Sequence, residues 1–178
     1  MSLHELEALL GGLPPARVQP EDLDALAAAW PRTLDRTGLA ARARFSDRGY
    51  TRTVLHRNPG WEVLLAGWLP GQCTATHGHG ESFGLICVLV GALTEVEYRL
   101  APGGHVAKVE RRGHPAGEVF REEPHTIHRV EHAGAGRAVS LHLYAPPLER
   151  MELYEGSTGT SHPRGSGRRE PKSSVRVR

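Results

Sequence analysis

His77-Gly78-His79 puts two imidazoles on one side of an extended strand, because strand side chains alternate faces with a period of two. His128 lies 49 residues further on and can meet the pair only if the strands fold back on one another. Three neutral imidazoles with coordination positions left open suit a divalent transition metal, iron among the candidates. A second set follows: Ser140, His142 and Tyr144 alternate within Ser140-Leu141-His142-Leu143-Tyr144, so all three project from one strand face. His125 and His128 are three apart and face opposite sides of a strand. Ile127-His128-Arg129-Val130 resumes an alternating pattern while His125 follows Pro124, so His128 is the inward member. His4, His56, His105, His114, His132 and His162 read as solvated or satisfied by ordinary hydrogen bonds.

The elements that must carry these residues begin near Tyr50. Short apolar or alternating runs (50–56, 61–69, 84–90, 94–99, 117–121, 129–131 and 138–144) are separated by Asn58-Pro59-Gly60, Pro70-Gly71, Pro102-Gly103-Gly104 and Ala133-Gly134-Ala135-Gly136. Strands at that spacing predict a β-sandwich or small barrel. The first third reads helical. Ser2 and Glu5 form a capping box ahead of Leu6, Leu9 and Leu10, and Gly11-Gly12 closes that helix. A second helix opens at Pro20-Glu21-Asp22 and runs through Leu23, Leu26 and Trp30 until Pro31 stops it. The expected organisation is a helical segment over 1–40 packed on a barrel over 41–155, then a disordered basic tail over 156–178.

A chain of 178 residues can bury one full core. Residues 163–178 hold a local +5 within an overall +2, which leaves the first 162 residues at −3. The tail has neither apolar periodicity nor aromatics, so it predicts solvated chain rather than a nucleic-acid or membrane surface. Two cysteines, Cys73 and Cys87, imply no disulfide framework and favour a reducing compartment. No secretory leader and no apolar run of membrane-spanning length are evident. The expectation is a cytoplasmic protein without nucleic-acid or membrane partners.

Gly71-x5-His77-x-His79-x11-Gly91 matches the first half of the cupin signature, Gly-x5-His-x-His-x3,4-Glu-x6-Gly. Gly117, Pro124 and His128 stand near the positions of its second half. The resemblance implies a double-stranded β-helix barrel of jelly-roll type with a metal in its mouth. Gly84 occupies the usual glutamate position and Glu81 falls too early, so the ligand set reads as three histidines without a carboxylate. Tyr50-Thr51-Arg52, His128-Arg129-Val130-Glu131 and the run from Ser140 to Ala145-Pro146-Pro147 then narrow the choice. In that order they resemble the cysteine dioxygenase family of type I, in its bacterial form without the cross-linking cysteine.

That resemblance implies a non-haem Fe(2+) enzyme that oxidises L-cysteine with O2 to cysteine sulfinic acid in cysteine catabolism. Its implied iron ligands are His77, His79 and His128, neutral groups that leave the ion its full charge to favour a thiolate. Arg52 is the implied clamp for the substrate carboxylate, with Tyr50 and Tyr144 beside it. Ser140, His142 and Tyr144 are the implied relay ending at a phenol near the iron. Gly84 stands where animal members carry a cysteine cross-linked to the tyrosine, and Cys87 faces the core. The family leans towards monomers. The related 3-mercaptopropionate dioxygenases typically have glutamine at the position of Arg52, and a cupin that only senses a ligand is the reading from outside enzymology.

Overall fold

The structure is a computed structural model describing Leu10, residues 13–14, 17–102 and 104–154, and the backbone of 173–176. Two helices, α1 (Asp22–Thr33) and α2 (Arg36–Ala40), precede β1 (Thr51–Arg57), β2 (Glu62–Trp68), β3 (Thr76–Gly78), β4 (Phe83–Val90), β5 (Ala92–Leu100) and β6 (Val106–Pro115). There follow β7 (Val119–Glu122), β8 (Ile127–Glu131), β9 (Ala138–Ala145), β10 (Arg150–Tyr154) and β11 (Ser173–Arg176). All pairings are antiparallel, and they form two sheets with spatial orders β1-β2-β9-β4-β7 and β11-β10-β3-β8-β5-β6. The molecule is mainly β, a double-stranded β-helix barrel with a short helical N-terminal segment.

The first sheet is buried on both faces. Val63, Leu65, Leu85, Cys87, Leu141 and Leu143 point outward and pack with Leu23, Leu26, Trp30 and Leu39 of the helical segment. Leu64, Ala66, Trp68, Val88, Ala138 and Tyr144 point into the barrel. Burial on both sides explains why β2, β4 and β9 read as nearly continuous apolar runs rather than clean alternation. Cys87 sits under the helices, as expected, and burial pushes its thiol up to about 11. Gly91, at φ +77°, turns the chain from β4 into β5 of the other sheet. A Cβ there would lie 2.8 Å from that of Ala138, so only glycine fits the corner.

Three expectations change. Pro31 does not stop α1, which continues to Thr33. Proline removes one helical donor, but Leu34 N–H still reaches the Trp30 carbonyl at 3.2 Å, and Trp30 is fully buried. Strand β6 carries no hydrophobic period because it is a charged, mostly exposed edge strand that, among the described residues, pairs with β5 alone. Within the stretch read as tail, Ser173–Arg176 forms β11 against β10; its other residues, and the first helix except Leu10, lie outside the described residues.

Candidate metal centre

The site grows from one cross-strand pair. His77 on β3 stands directly opposite His128 on β8, and His79 follows two residues after His77. The three rings face one another with centroids 4.6–5.0 Å apart, and their nitrogens form a metal-sized group. All three side chains are buried. His77 Nδ1 lies 2.9 Å from the Ala75 carbonyl, which can only accept, so its proton is on Nδ1 and Nε2 faces the cavity. Glu95 holds His128 Nδ1 at 2.7 Å in the same way. His128 Nε2 is then a buried lone pair with no hydrogen-bond partner. Orienting one imidazole nitrogen through the other is how metal-ligating histidines are held, and an orphaned inward nitrogen is what a metal ion would satisfy. Burial, with the neighbouring His128 and His79, keeps the His77 pKa well below its ordinary value, so it is available as a neutral ligand.

His125 is turned away. Its backbone adopts φ 62°, and its exposed ring meets Glu81 at 3.2 Å on the surface.

Two carboxylates behind the histidines were not anticipated. Glu95 on β5 bonds His128, and Glu122 on β7 brings Oε2 to 3.0 Å from His79 Nδ1 and Oε1 to 3.7 Å from His128 Nδ1. Both are buried. Burial alone would raise their pKa values. The adjoining imidazoles outweigh it, holding Glu95 at about 2 and Glu122 lower still. The imidazoles therefore do not stand alone with a dipositive ion, because two negative charges lie just outside them. The signal that could have found Glu95 is its alternation with Leu93 on the inward face of β5. Glu122 is opposite Gly84, the position where the signature's own glutamate is missing, so a carboxylate returns from the neighbouring strand.

Of the other predicted residues, Tyr50, Arg52, His142 and Tyr144 line the same cavity, of about 30 Å³, and Ser140 lies behind His142. Arg52 and Tyr50 enter from the β1 side, where Tyr50 stacks on Trp68 at 4.6 Å. Arg52 Nη2 is buried without a hydrogen bond. Its nearest charge is Glu62 Oε1 at 3.5 Å, a carboxylate shared with Arg57 and with the Leu148 N–H. Its Nη1 lies 3.9 Å from the Met151 sulfur. From β9, Ser140 Oγ is 2.7 Å from His142 Nε2, and His142 Nδ1 is 3.0 Å from the Tyr144 hydroxyl. Tyr144 packs on His79 with ring centroids 5.0 Å apart. Burial lowers the His142 pKa to about 3 and drives that of Tyr144 well above its ordinary value, so the imidazole is neutral and the phenol keeps its proton. Gly84 makes the fit possible: a Cβ there would meet Tyr144 Cδ1 and Cε1 at 3.0 Å.

With a three-histidine group, a buried arginine and a protonated phenol around one cavity, the comparisons with known proteins are specific. The family model for type I cysteine dioxygenase matches residues 13–157. The chain belongs to that family. Cysteine dioxygenase type 1 of Homo sapiens is 28% identical over 147 residues, 80% of this chain and 72% of that protein. The enzyme of Rattus norvegicus is 27% identical over 125 residues, 67% of this chain and 62% of that one. A solved structure of a conserved Klebsiella pneumoniae protein with a double-stranded β-helix domain is 22% identical with TM-score 0.49, covering 70% of this chain and 97% of that chain. Membership of the family makes the chain a metal-dependent oxidoreductase of the dioxygenase type. Among the described residues no helix is long and apolar enough to cross a membrane.

Proposed function

We propose that this member of the family is an iron(II)-dependent thiol dioxygenase that oxidises L-cysteine with O2 to cysteine sulfinic acid. The observation that carries the reading is Arg52 Nη2, buried and without a hydrogen bond in the cavity of the three histidines. A buried guanidinium nitrogen with an unmade hydrogen bond is costly, even with Glu62 at 3.5 Å. A substrate carboxylate would relieve that cost through two parallel bonds. Iron(II) bound by His77, His79 and His128 would supply adjacent coordination positions for a thiolate and O2.

The chain's own groups do the rest. Arg52, with Tyr50 beside it, holds the carboxylate end and so fixes which way the thiol points. Tyr144 offers its hydroxyl proton to the bound reactants, steadied by neutral His142. Leu64, Trp68 and Val130 line the cavity with apolar surface and keep bulk water away from the thiolate. Met151, unbranched and against Arg52, is the lining side chain best able to yield as substrate enters. The balance is R–SH plus O2 giving R–SO2H, with both oxygen atoms on sulfur, the sulfinic rung of thiol oxidation.

Iron content measured together with O2 consumption tests the reading. Iron-loaded protein should consume O2 with L-cysteine and yield a sulfinate carrying two labelled atoms from 18O2. Faster turnover of 3-mercaptopropionate, which lacks the amino group, would replace the cysteine assignment. Stoichiometric iron with no thiol-dependent uptake would leave a ligand sensor instead.

A further inference from the structure

The Ser140–His142–Tyr144 chain does not end at Ser140. Trp68 on β2 sends its indole N–H to Ser140 Oγ at 3.1 Å, both residues being fully buried. An indole N–H donates and cannot accept. Ser140 Oγ therefore receives one proton from Trp68 and still has its own to give. Among the described residues its other recorded partner is His142 Nε2, at 2.7 Å. If His142 donated from Nε2, the serine hydroxyl proton would be buried with no acceptor, at the cost of an unmade bond.

We infer that the relay has a direction because Trp68, a donor that cannot accept, leaves His142 Nε2 to take the Ser140 proton: Trp68 N–H to Ser140 Oγ, Ser140 O–H to His142 Nε2, His142 Nδ1–H to Tyr144 Oη, and the phenol proton outward into the cavity. Trp68 is thus a positioning residue, acting on Tyr144 through two intermediates. The chain consumes the imidazole's acceptor at its serine end, so Tyr144 cannot spend its proton back on His142. The proton faces the cavity, where Glu122 stands one strand away across Gly84. His142 is neutral, with a pKa near 3 set by burial, so a single tautomer is meaningful at working pH. The register explains how the residues meet: Ala66 on β2 pairs with Ser140 and Trp68 with Ala138, making Trp68 and Ser140 diagonal neighbours on the inward face.

The inference concerns the polarity of a relay in the site proposed above, and its test needs neither iron nor turnover. The full-length, metal-free protein labelled with 15N-histidine would be studied by long-range 1H–15N correlation, with His142 assigned by the loss of its signals in His142→Gln. The expected pattern is Nδ1 protonated and Nε2 bare. Trp68→Phe supplies no acceptor and should keep that pattern. Trp68→Gln brings an amide oxygen within reach of the Ser140 hydroxyl, and the Nε2-protonated form should then rise from undetectable to a comparable population. A wild-type His142 protonated on Nε2 would overturn the inference even if neither variant folds. An unchanged tautomer in a folded Trp68→Gln protein would remove Trp68 from the role.

Discussion

Single residues around the cavity divide into those that touch reactants in the proposed reading and those that hold them in place. Arg52 belongs to the first group. A charge-assisted hydrogen bond contributes about 1.5–3 kcal/mol, so Arg52→Gln should raise the KM for L-cysteine by roughly tenfold to a hundredfold, each ~1.4 kcal/mol being tenfold. Iron content should stay at the wild-type level. Equal KM values would move the carboxylate elsewhere. Glu122 belongs to the second group. Its carboxylate against His79 fixes a ring and supplies negative charge, and loss of such a partner typically lowers metal affinity about 10–100-fold. Glu122→Gln keeps the shape and removes the charge. Chelator competition for Fe(II) should show weakening of that order, and an unchanged affinity would mean the charge is irrelevant.

At the scale of elements, the site depends on a row of residues crossing the first sheet. Glu62, Tyr144, Gly84 and Glu122 stand opposite one another on β2, β9, β4 and β7. Residues opposite each other in a pleated sheet share a face, so any side chain added at Gly84 pushes on Tyr144. Gly84→Ala sets a methyl 3.0 Å from two ring carbons, and overpacking of this kind costs about 1–3 kcal/mol. The protein should fold with a lower urea midpoint, and the Tyr144 ring should lose its fixed environment in NMR spectra. An unchanged midpoint would show that the strand yields freely. The outward face of the same sheet is sealed by α1 and α2, and Arg121 on β7 ties back to Asp24 and to the Pro20 carbonyl. Strand β7 therefore links the helical segment to Glu122, one residue further along.

For the whole molecule the concentration of buried ionisable groups sets the response to acid. Glu95 sits at about 2 and Glu122 lower, against an ordinary 4.5, and His142 sits near 3, against 6.5. Each binds fewer protons folded than unfolded within those windows, so each stabilises the fold above its ordinary pKa and loses that effect as pH falls through the window. His114 and His128 are shifted the other way: burial opposes their charge, but Glu95, Glu118 and Glu122 outweigh it. Their contribution is complete below pH 6.5 and declines only as pH rises. Between pH 6.5 and about 3 the groups that change are the first group and His77, whose pKa burial likewise lowers, so the urea midpoint of the metal-free protein should fall steadily on acidification. A flat midpoint over pH 6.5 to 4.5 would contradict the neutral, buried state of His142, and one flat below pH 4.5 would contradict the buried, charged state of Glu95 and Glu122.

Sequence alone determined the strand-borne histidine pair, the distant His128, the alternating Ser140–His142–Tyr144 face and the barrel class, because strand periodicity is local and turn residues mark its limits. It also singled out Gly84 as the missing carboxylate position. Only the tertiary structure decided what stands around them. Glu95 reaches His128 across the β5–β8 pair, 33 residues away in the chain, and Glu122 reaches His79 from the facing sheet. Trp68 meets Ser140 from 72 residues away. Cross-strand register and the facing of the two sheets, and not any spacing along the chain, set those contacts. The proton direction and the charge balance of the site therefore belong to the folded molecule.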